Sequence, residues 1–277
     1  PRPPNFGVAA EEIPTLQKTQ MKDLTPEDWE SYKFNSLQKH YACNAYIDRE
    51  IGRVIDATER LHGDDTVIIY TSDHGSMQGS HRLEAKGPEM YEEITNIPFI
   101  VKTPDGPAGV VSESLISHLD ILPTMLDMNG LDVPDALQGV SMAPVLNDPA
   151  ASVRDMVMIN WHRFAINHDS WTGRRKFYPI RCVTDGRYKL AINLFETDEL
   201  YDLDNDPWEL ENRIYDDQYA SERNRLHDML LEHMYEIRDP FRCYEWGGRS
   251  WRDIDKPSFA LKSRKNPDGF SFQSLSL

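Results

Sequence analysis

Asp73 and His74 stand side by side in the run Thr71-Ser72-Asp73-His74-Gly75. A hard carboxylate beside an imidazole is a donor pair suited to a divalent cation. A turn at Gly75 ends the strand alternation, so the two side chains can converge on one ion. Twelve residues beyond His74 comes Lys86-Gly87. A short loop that returns this lysine to the same sheet edge sets a fixed ammonium opposite the donor pair. His81 and Arg82 lie within the loop as further candidate cations.

The elements around these residues have to place them. Val67-Ile68-Ile69-Tyr70 is short, apolar and β-branched or aromatic, the pattern of a strand buried on both faces of a parallel sheet. Ligands in open α/β sheets collect at the carboxyl ends of such strands. Ile97-Pro98-Phe99-Ile100 is a second strand candidate. Upstream, Thr25-Pro26-Glu27-Asp28 reads as a helix start, with a Thr cap, a Pro in first position and acids in the first turn. The helix is expected from about residue 26 towards 60, with an interruption allowed. Ile47, Ile51, Val54 and Ile55 form one stripe at helical spacing, and a helix that leads into a parallel strand is half of a βαβ unit. Residues 1–28 carry five prolines and read, ahead of that helix, as a loop or lid.

Downstream, Pro104-Asp105-Gly106-Pro107 is a turn, and residues 116–124 read as a strand end that opens into a helix. His118 and Asp120 admit two readings there, a catalytic pair or a joint held by side-chain hydrogen bonds; the joint is favoured. From about residue 153 the pattern changes. Strand candidates at 156–161, 179–184, 188–194 and 199–203 follow one another without helices and predict a small antiparallel sheet. One amphipathic helix follows at about 221–237, with Leu226, Met229, Leu230, His233 and Met234 on a stripe. The acids of 199–212 lack the glycine and terminal glutamate of an EF-hand and read as a structural turn.

Composition narrows the function classes. At 277 residues, 39% hydrophobic and 27% charged, the chain can bury a large core in one domain or two. A net charge of −16 argues against a nucleic-acid partner, and no apolar run approaches the ~20 residues of a membrane span. An anionic substrate therefore needs local cations to overcome the global field. Cys43, Cys182 and Cys243 are far apart and do not suggest a disulfide framework. The opening Pro1-Arg2-Pro3-Pro4 reads as an internal start.

The block 66–101, with Ser-Asp-His-Gly, a His-containing loop, Lys-Gly, Tyr91-Glu92-Glu93 and a Pro-hydrophobic strand in that order, resembles the sulfatase branch of the alkaline phosphatase superfamily. Asp48 and Gly52-Arg53 on the preceding helix are similar to that family. So are Glu199-Leu200-Tyr201-Asp202-Leu203 and the following Asp206-Pro207 to Asn212. The segment from Ile237-Arg238-Asp239-Pro240-Phe241-Arg242 to Trp251-Arg252 resembles a bacterial sulfatase branch.

The resemblance implies an α/β fold: the second half of an alkaline-phosphatase-like, mostly parallel sheet flanked by helices, plus a small C-terminal antiparallel sheet with one helix. It divides the chain into a portion of the catalytic domain, 1–150, and a C-terminal α+β subdomain with an extended tail, 151–277. It implies a sulfuric ester hydrolase acting on sulfated carbohydrate or a small sulfate ester through formylglycine and a divalent metal, with Ca2+ the family expectation. Asp73 and His74 are the implied metal ligands, and Lys86 the catalytic contact to the sulfuryl or bridging oxygen. His81 admits two readings, a secondary substrate contact or a surface loop residue. His168 is a further substrate-binding candidate, on a loop where Trp161 and Trp171 flank His162, His168 and Asp169.

Several parts of the family pattern are not found: the nucleophile motif, the first two aspartate metal ligands, the arginine beside the nucleophile and the histidines that act on the hydrate and leaving group. The formylglycine precursor lies in a Cys/Ser-x-Pro-x-Arg motif, and none of the three cysteines has that context. The expectation drawn is that the nucleophile lies on a missing N-terminal segment, that this half of the enzyme is a partner, and that the chain is not competent without it. Two other functions are carried alongside: a phosphate or phosphonate monoester hydrolase of the same superfamily, and a non-catalytic binding module. Bacterial compartment, cytoplasm or periplasm, and homo-oligomerisation are left open.

Overall fold

The computed structural model describes residues 1–8, 12–162 and 179–252. The architecture is α/β, with helices accompanying two sheets. The chain divides into two compact units, one of residues 1–9 and 19–155, the other of 10–18 and 156–277.

After a short helix α1 (Thr15–Gln20), the first unit enters its long helical segment at the expected cap. Thr25 and Asp28 form a capping box, with the Thr25 backbone N–H donating to Asp28 Oδ2 at 2.8 Å. Helix α2 (Trp29–Tyr32) runs through a π-turn at Lys33–Leu37 into α3 (Gln38–His62). The π-turn is the interruption allowed from sequence. Gly63, at φ +66, ends α3 by adopting a backbone region that other residues rarely enter. Helix α4 (Glu92–Thr95) is a single turn between two strands.

Strand β1 (Ile68–Thr71) pairs with β2 (Phe99–Lys102) in antiparallel register, Ile68 opposite Lys102 and Thr71 opposite Phe99. This corrects the expectation of a mostly parallel sheet and of a βαβ half-unit at this strand: among the described residues all four strand pairings are antiparallel. β1 is not buried on both faces either, since Tyr70 is exposed and its neighbours are half-buried. An apolar run reports a tendency to be covered but says nothing of strand direction. Here the connection returns through a loop and α4 rather than a long crossover helix, so the neighbour runs the other way.

Helix α5 (Ile121–Met128) is launched from a 3-10 turn at His118–Asp120, capped by Ser117. Asp120, fully buried, accepts from the backbone N–H of Ser117 (2.7 Å) and of Val140 (2.9 Å) and pairs with Arg154. It is a structural hub, as the joint reading expects. Helix α6 (Ala143–Asn147) follows.

In the second unit β3 (Val157–Trp161), β4 (Ile180–Thr184), β5 (Tyr188–Asn193) and β6 (Glu199–Asp202) form an antiparallel meander in sequence order. Helix α7 (Ala220–Glu236) brings Leu226, Leu230, Leu231 and Met234 into one core with Val183, Leu190, Ile192, Leu200 and Trp246. The opposite face is also covered: Gln17 Nε2 donates to both carboxylate oxygens of buried Glu199, at 3.2 Å each. Charges inside this unit are paired. Arg181 meets Asp239 through two bonds of 2.6 and 3.0 Å, and Lys189 meets Glu209 at 2.9 Å.

Candidate active site

The exit of β1 is held from two sides. His118 Nε2 donates to the carbonyl oxygen of Ser72 at 2.8 Å, and the Gly75 N–H donates to the carbonyl of Ile94 at 3.0 Å. Gly75 sits so close to α4 that an added Cβ would lie 1.8 Å from the Glu93 carbonyl oxygen. The turn after Asp73-His74 therefore requires glycine for the close approach.

The Asp73 side chain is 82% exposed and accepts from the His74 backbone N–H at 3.0 Å. Burial cost raises this carboxyl, but His74, the backbone N–H groups of His74 and Asp73 and the Lys86 charge together outweigh it, so Asp73 titrates below its ordinary range. His74 Nδ1 lies 2.8 Å from the Gly75 carbonyl oxygen. A carbonyl can only accept, so Nδ1 carries the proton and Nε2 presents a lone pair. Lys86 Nζ donates to it at 2.6 Å, and Asp73 Oδ2 lies 3.4 Å from the same nitrogen. Asp73, His74 and Lys86 are thus brought together, as their spacing suggests.

The loop that returns Lys86 is closed on itself. Met77 N–H donates to Ala85 O and Gly79 N–H to Leu83 O, each at 2.8 Å. Gln78, His81, Arg82 and Ala85 all take positive φ, a concentration of costly backbone that persists only where surroundings fix it. The surroundings are residues 5–7. His81 N–H donates to Asn5 O (2.9 Å), Gly7 N–H donates to Gly79 O (3.1 Å), and Phe6 bridges to Ser80. Phe6 is itself anchored by the rings of Trp29 and Tyr32, about 5 Å away. Asn5 Nδ2 reaches Glu93 Oε1 at 2.6 Å and lies 3.3 Å from His81 Nε2. The amino-terminal stretch, a loop or lid by sequence, is a strap on this loop. Sequence reasoning missed Asn5 because nothing local marks a contact across 76 residues.

His81 is fully buried, its ring stacked on Tyr91 at 3.8 Å. It packs the loop and does not line an open surface. His168 lies outside the described residues, as do Asp169 and Trp171. His162 is exposed, with its ring edge-on to Phe241.

The chemistry of the donor set fits a divalent cation at two positions. An ionised carboxylate and an imidazole lone pair of fixed tautomer face the same side. Among the described residues no group of three or more His, Cys, Asp or Glu side chains is poised around one point. Asp73 and His74 are two neighbouring donors of the type a divalent cation takes.

Comparisons with known proteins bear on the family to which this fold belongs. The sulfatase family model matches residues 9–131, and the model for the C-terminal part of N-sulphoglucosamine sulphohydrolase matches residues 79–236. The sulfatase YidJ of Escherichia coli, itself uncharacterised, is 42% identical over 233 residues, covering 84% of this chain and 45% of that protein. The structure of BT4656 with its substrate D-glucosamine-2-N,6-O-disulfate superposes with a TM-score of 0.68 at 26% identity, covering 82% of this chain and 46% of that one. The phosphonate monoester hydrolase of Agrobacterium radiobacter superposes with a TM-score of 0.61 at 31% identity, covering 70% and 40%. The chain spans somewhat under half the length of these relatives.

These matches correct four linked expectations: a nucleophile on a missing segment, formylglycine carried there, a separate N-terminal half as partner, and a chain incompetent without it. The sulfatase model itself aligns within this chain, at residues 9–131. The expectations rested on individual motif residues that were not found, whereas a family match reads the order of strands, loops and helices along the chain. A motif not found is no measure of a domain not present. The chain belongs to the sulfatase family of the alkaline phosphatase superfamily, on a branch shared with bacterial sulfatases.

Proposed function

We propose that this protein hydrolyses sulfate monoesters, with a sulfated carbohydrate or small sulfate ester as substrate. The observation that carries this reading is the convergence of Asp73, His74 and Lys86 at the exit of β1. Asp73 and His74 are taken as two ligands of a divalent cation, Ca2+ by family expectation. Bound there, such an ion supplies Lewis-acid neutralisation of sulfuryl oxygen charge. Gly75 O orients the His74 ring by accepting from Nδ1. Lys86, exposed at the end of its strapped loop, is taken to place its ammonium on the sulfuryl or bridging oxygen, where charge grows in the transition state. His81 acts by packing the loop, and a substrate role for His168 remains part of the proposal. In this reading residues 1–150 belong to the catalytic α/β domain and 151–277 form the C-terminal α+β subdomain.

A sulfated amino sugar is the favoured substrate class, because the BT4656 complex holds a sulfated glucosamine. Phosphonate monoesters are the second reading, favoured by the likeness to the Agrobacterium radiobacter hydrolase. Turnover of glucosamine 6-sulfate, an aryl sulfate and an aryl phosphonate monoester by the purified protein separates the two. The proposal expects the highest kcat/KM on a sulfate ester. Preference for the phosphonate ester, or no turnover of any sulfate ester, would overturn it.

A further inference from the structure

The geometry points to a competition at one atom: Lys86 and a divalent cation both require the Nε2 lone pair of His74, so cation binding releases the Lys86 ammonium toward the anionic substrate. The inference rests on the proposed ligand pair of Asp73 and His74. His74 has one lone pair to give. Its Nδ1 is committed as a donor to Gly75 O at 2.8 Å, which leaves Nε2 as the only acceptor on the ring. Lys86 Nζ lies 2.6 Å from that nitrogen, within hydrogen-bond distance of a charged donor. Asp73 Oδ2 is 3.4 Å from the same nitrogen. The ammonium therefore holds the one ring atom that a cation bound by His74 would need.

The neighbours decide which partner moves. His74 is fixed through Nδ1, and its backbone carbonyl accepts from Ser72 Oγ at 2.8 Å. Asp73 is tied to the His74 N–H. Lys86 is the mobile member, an exposed side chain on a four-carbon stem with three donors to redirect. An incoming cation and the ammonium cannot both hold Nε2, and their charges repel. The displaced ammonium stays on the site edge, because the loop behind it is latched to residues 5–7. One lysine then serves twice: it satisfies the histidine before the ion arrives, and it faces the sulfuryl oxygens afterwards.

The test is calorimetric titration with Ca2+ of the purified wild type, Asp73→Ala and Lys86→Met, together with 15N spectra of histidine-labelled protein. The competition expects Lys86→Met to bind Ca2+ about tenfold more tightly, the loss of one charge-assisted hydrogen bond that the ion otherwise has to break. It also expects the His74 Nε2 resonance to move in Lys86→Met before any ion is added, which simple charge repulsion at a distance would not produce. Unchanged or weaker affinity in Lys86→Met, or an unmoved resonance, overturns the competition. If Asp73→Ala has still lost binding in that case, the proposed ligand pair stands. Failure of the wild type to bind Ca2+ overturns both.

Discussion

Gly75 and Glu93 approach so closely that a Cβ on the glycine would lie 1.8 Å from the glutamate's carbonyl oxygen. The obstacle is backbone, which cannot swing aside as a side-chain tip can. Gly75→Ala is expected to cost about 3 kcal/mol, the upper end of overpacking penalties. It is also expected to turn Asp73-His74 out of register with Lys86. Chemical denaturation together with Ca2+ titration checks this, and unchanged stability with unchanged binding would contradict the tight docking of this turn on α4.

Asn5 holds the Lys86 loop through a backbone acceptor and a side chain that reaches Glu93 and His81. Asn5→Ala removes the side-chain contacts in a buried setting and is expected to cost about 1–2 kcal/mol. Because backbone bonds within the loop depend on the strap, amide exchange at Gly79 and Leu83 is expected to quicken in the variant. Exchange as slow as in the wild type would mean that the loop supports itself.

What was legible in the sequence follows from which signals are local. Asp73, His74 and Lys86 converge as their spacing suggested, because a strand exit and a short returning loop are both written within about twenty residues. The strand candidates after residue 153 correspond to β3–β6, since short β-rich runs divided by turns leave few other arrangements. The antiparallel pairing of β1 with β2 was not legible, because strand direction depends on the connection rather than on the strand. Nor was the burial of Arg181, Lys189 and Glu199. Charged residues in a strand read as a solvent face until their partners, Asp239, Glu209 and Gln17, are seen to arrive from distant segments. His81 illustrates the same limit: a histidine in a site loop reads as a substrate contact or a surface residue until Tyr91 is found stacked upon it.

Buried His227 in the second unit sets a pH dependence. Burial, above all, and the nearby Arg252 and Arg249 charges push its pKa down to about 3, against the pull of the Trp246 carbonyl and Asp228. Its Nε2 faces Trp246 O at 2.6 Å, and its Nδ1 accepts from Arg252 at 2.7 Å. Below about pH 6.5 the unfolded chain takes up a proton that the folded one refuses until about pH 3. The unfolded state binds more protons in that window, so stability falls as pH drops through it, by about 1.4 kcal/mol per unit from this group. His227→Gln, which can mimic both hydrogen bonds, is expected to flatten that slope in denaturation curves between pH 6 and 4.

Glu199 acts with the opposite sign. Burial raises its pKa against the hydrogen bonds of Asn193, Gln17 and Tyr201, and adjacent Asp198 raises it further. Above about pH 4.3 the unfolded chain has released a proton that the folded chain keeps. Stability therefore falls as pH rises from there through the folded pKa. Glu199→Gln is expected to show a shallower fall in stability with rising pH than the wild type. Some slope remains, because Asp198 is raised as well. A slope as steep as in the wild type would contradict this.

The central claim is that the Asp73, His74 and Lys86 cluster is the sulfate-ester site, and steady-state turnover of glucosamine 6-sulfate by Lys86→Ala tests it most directly. Lys86 is exposed and its removal should leave the fold intact, so thermal denaturation serves as the control. A loss of about 10²–10³ in kcat/KM is expected, carried mainly by kcat, as for a charge aimed at the transition state. A folded Lys86→Ala protein that retains kcat/KM to within about twofold would contradict it.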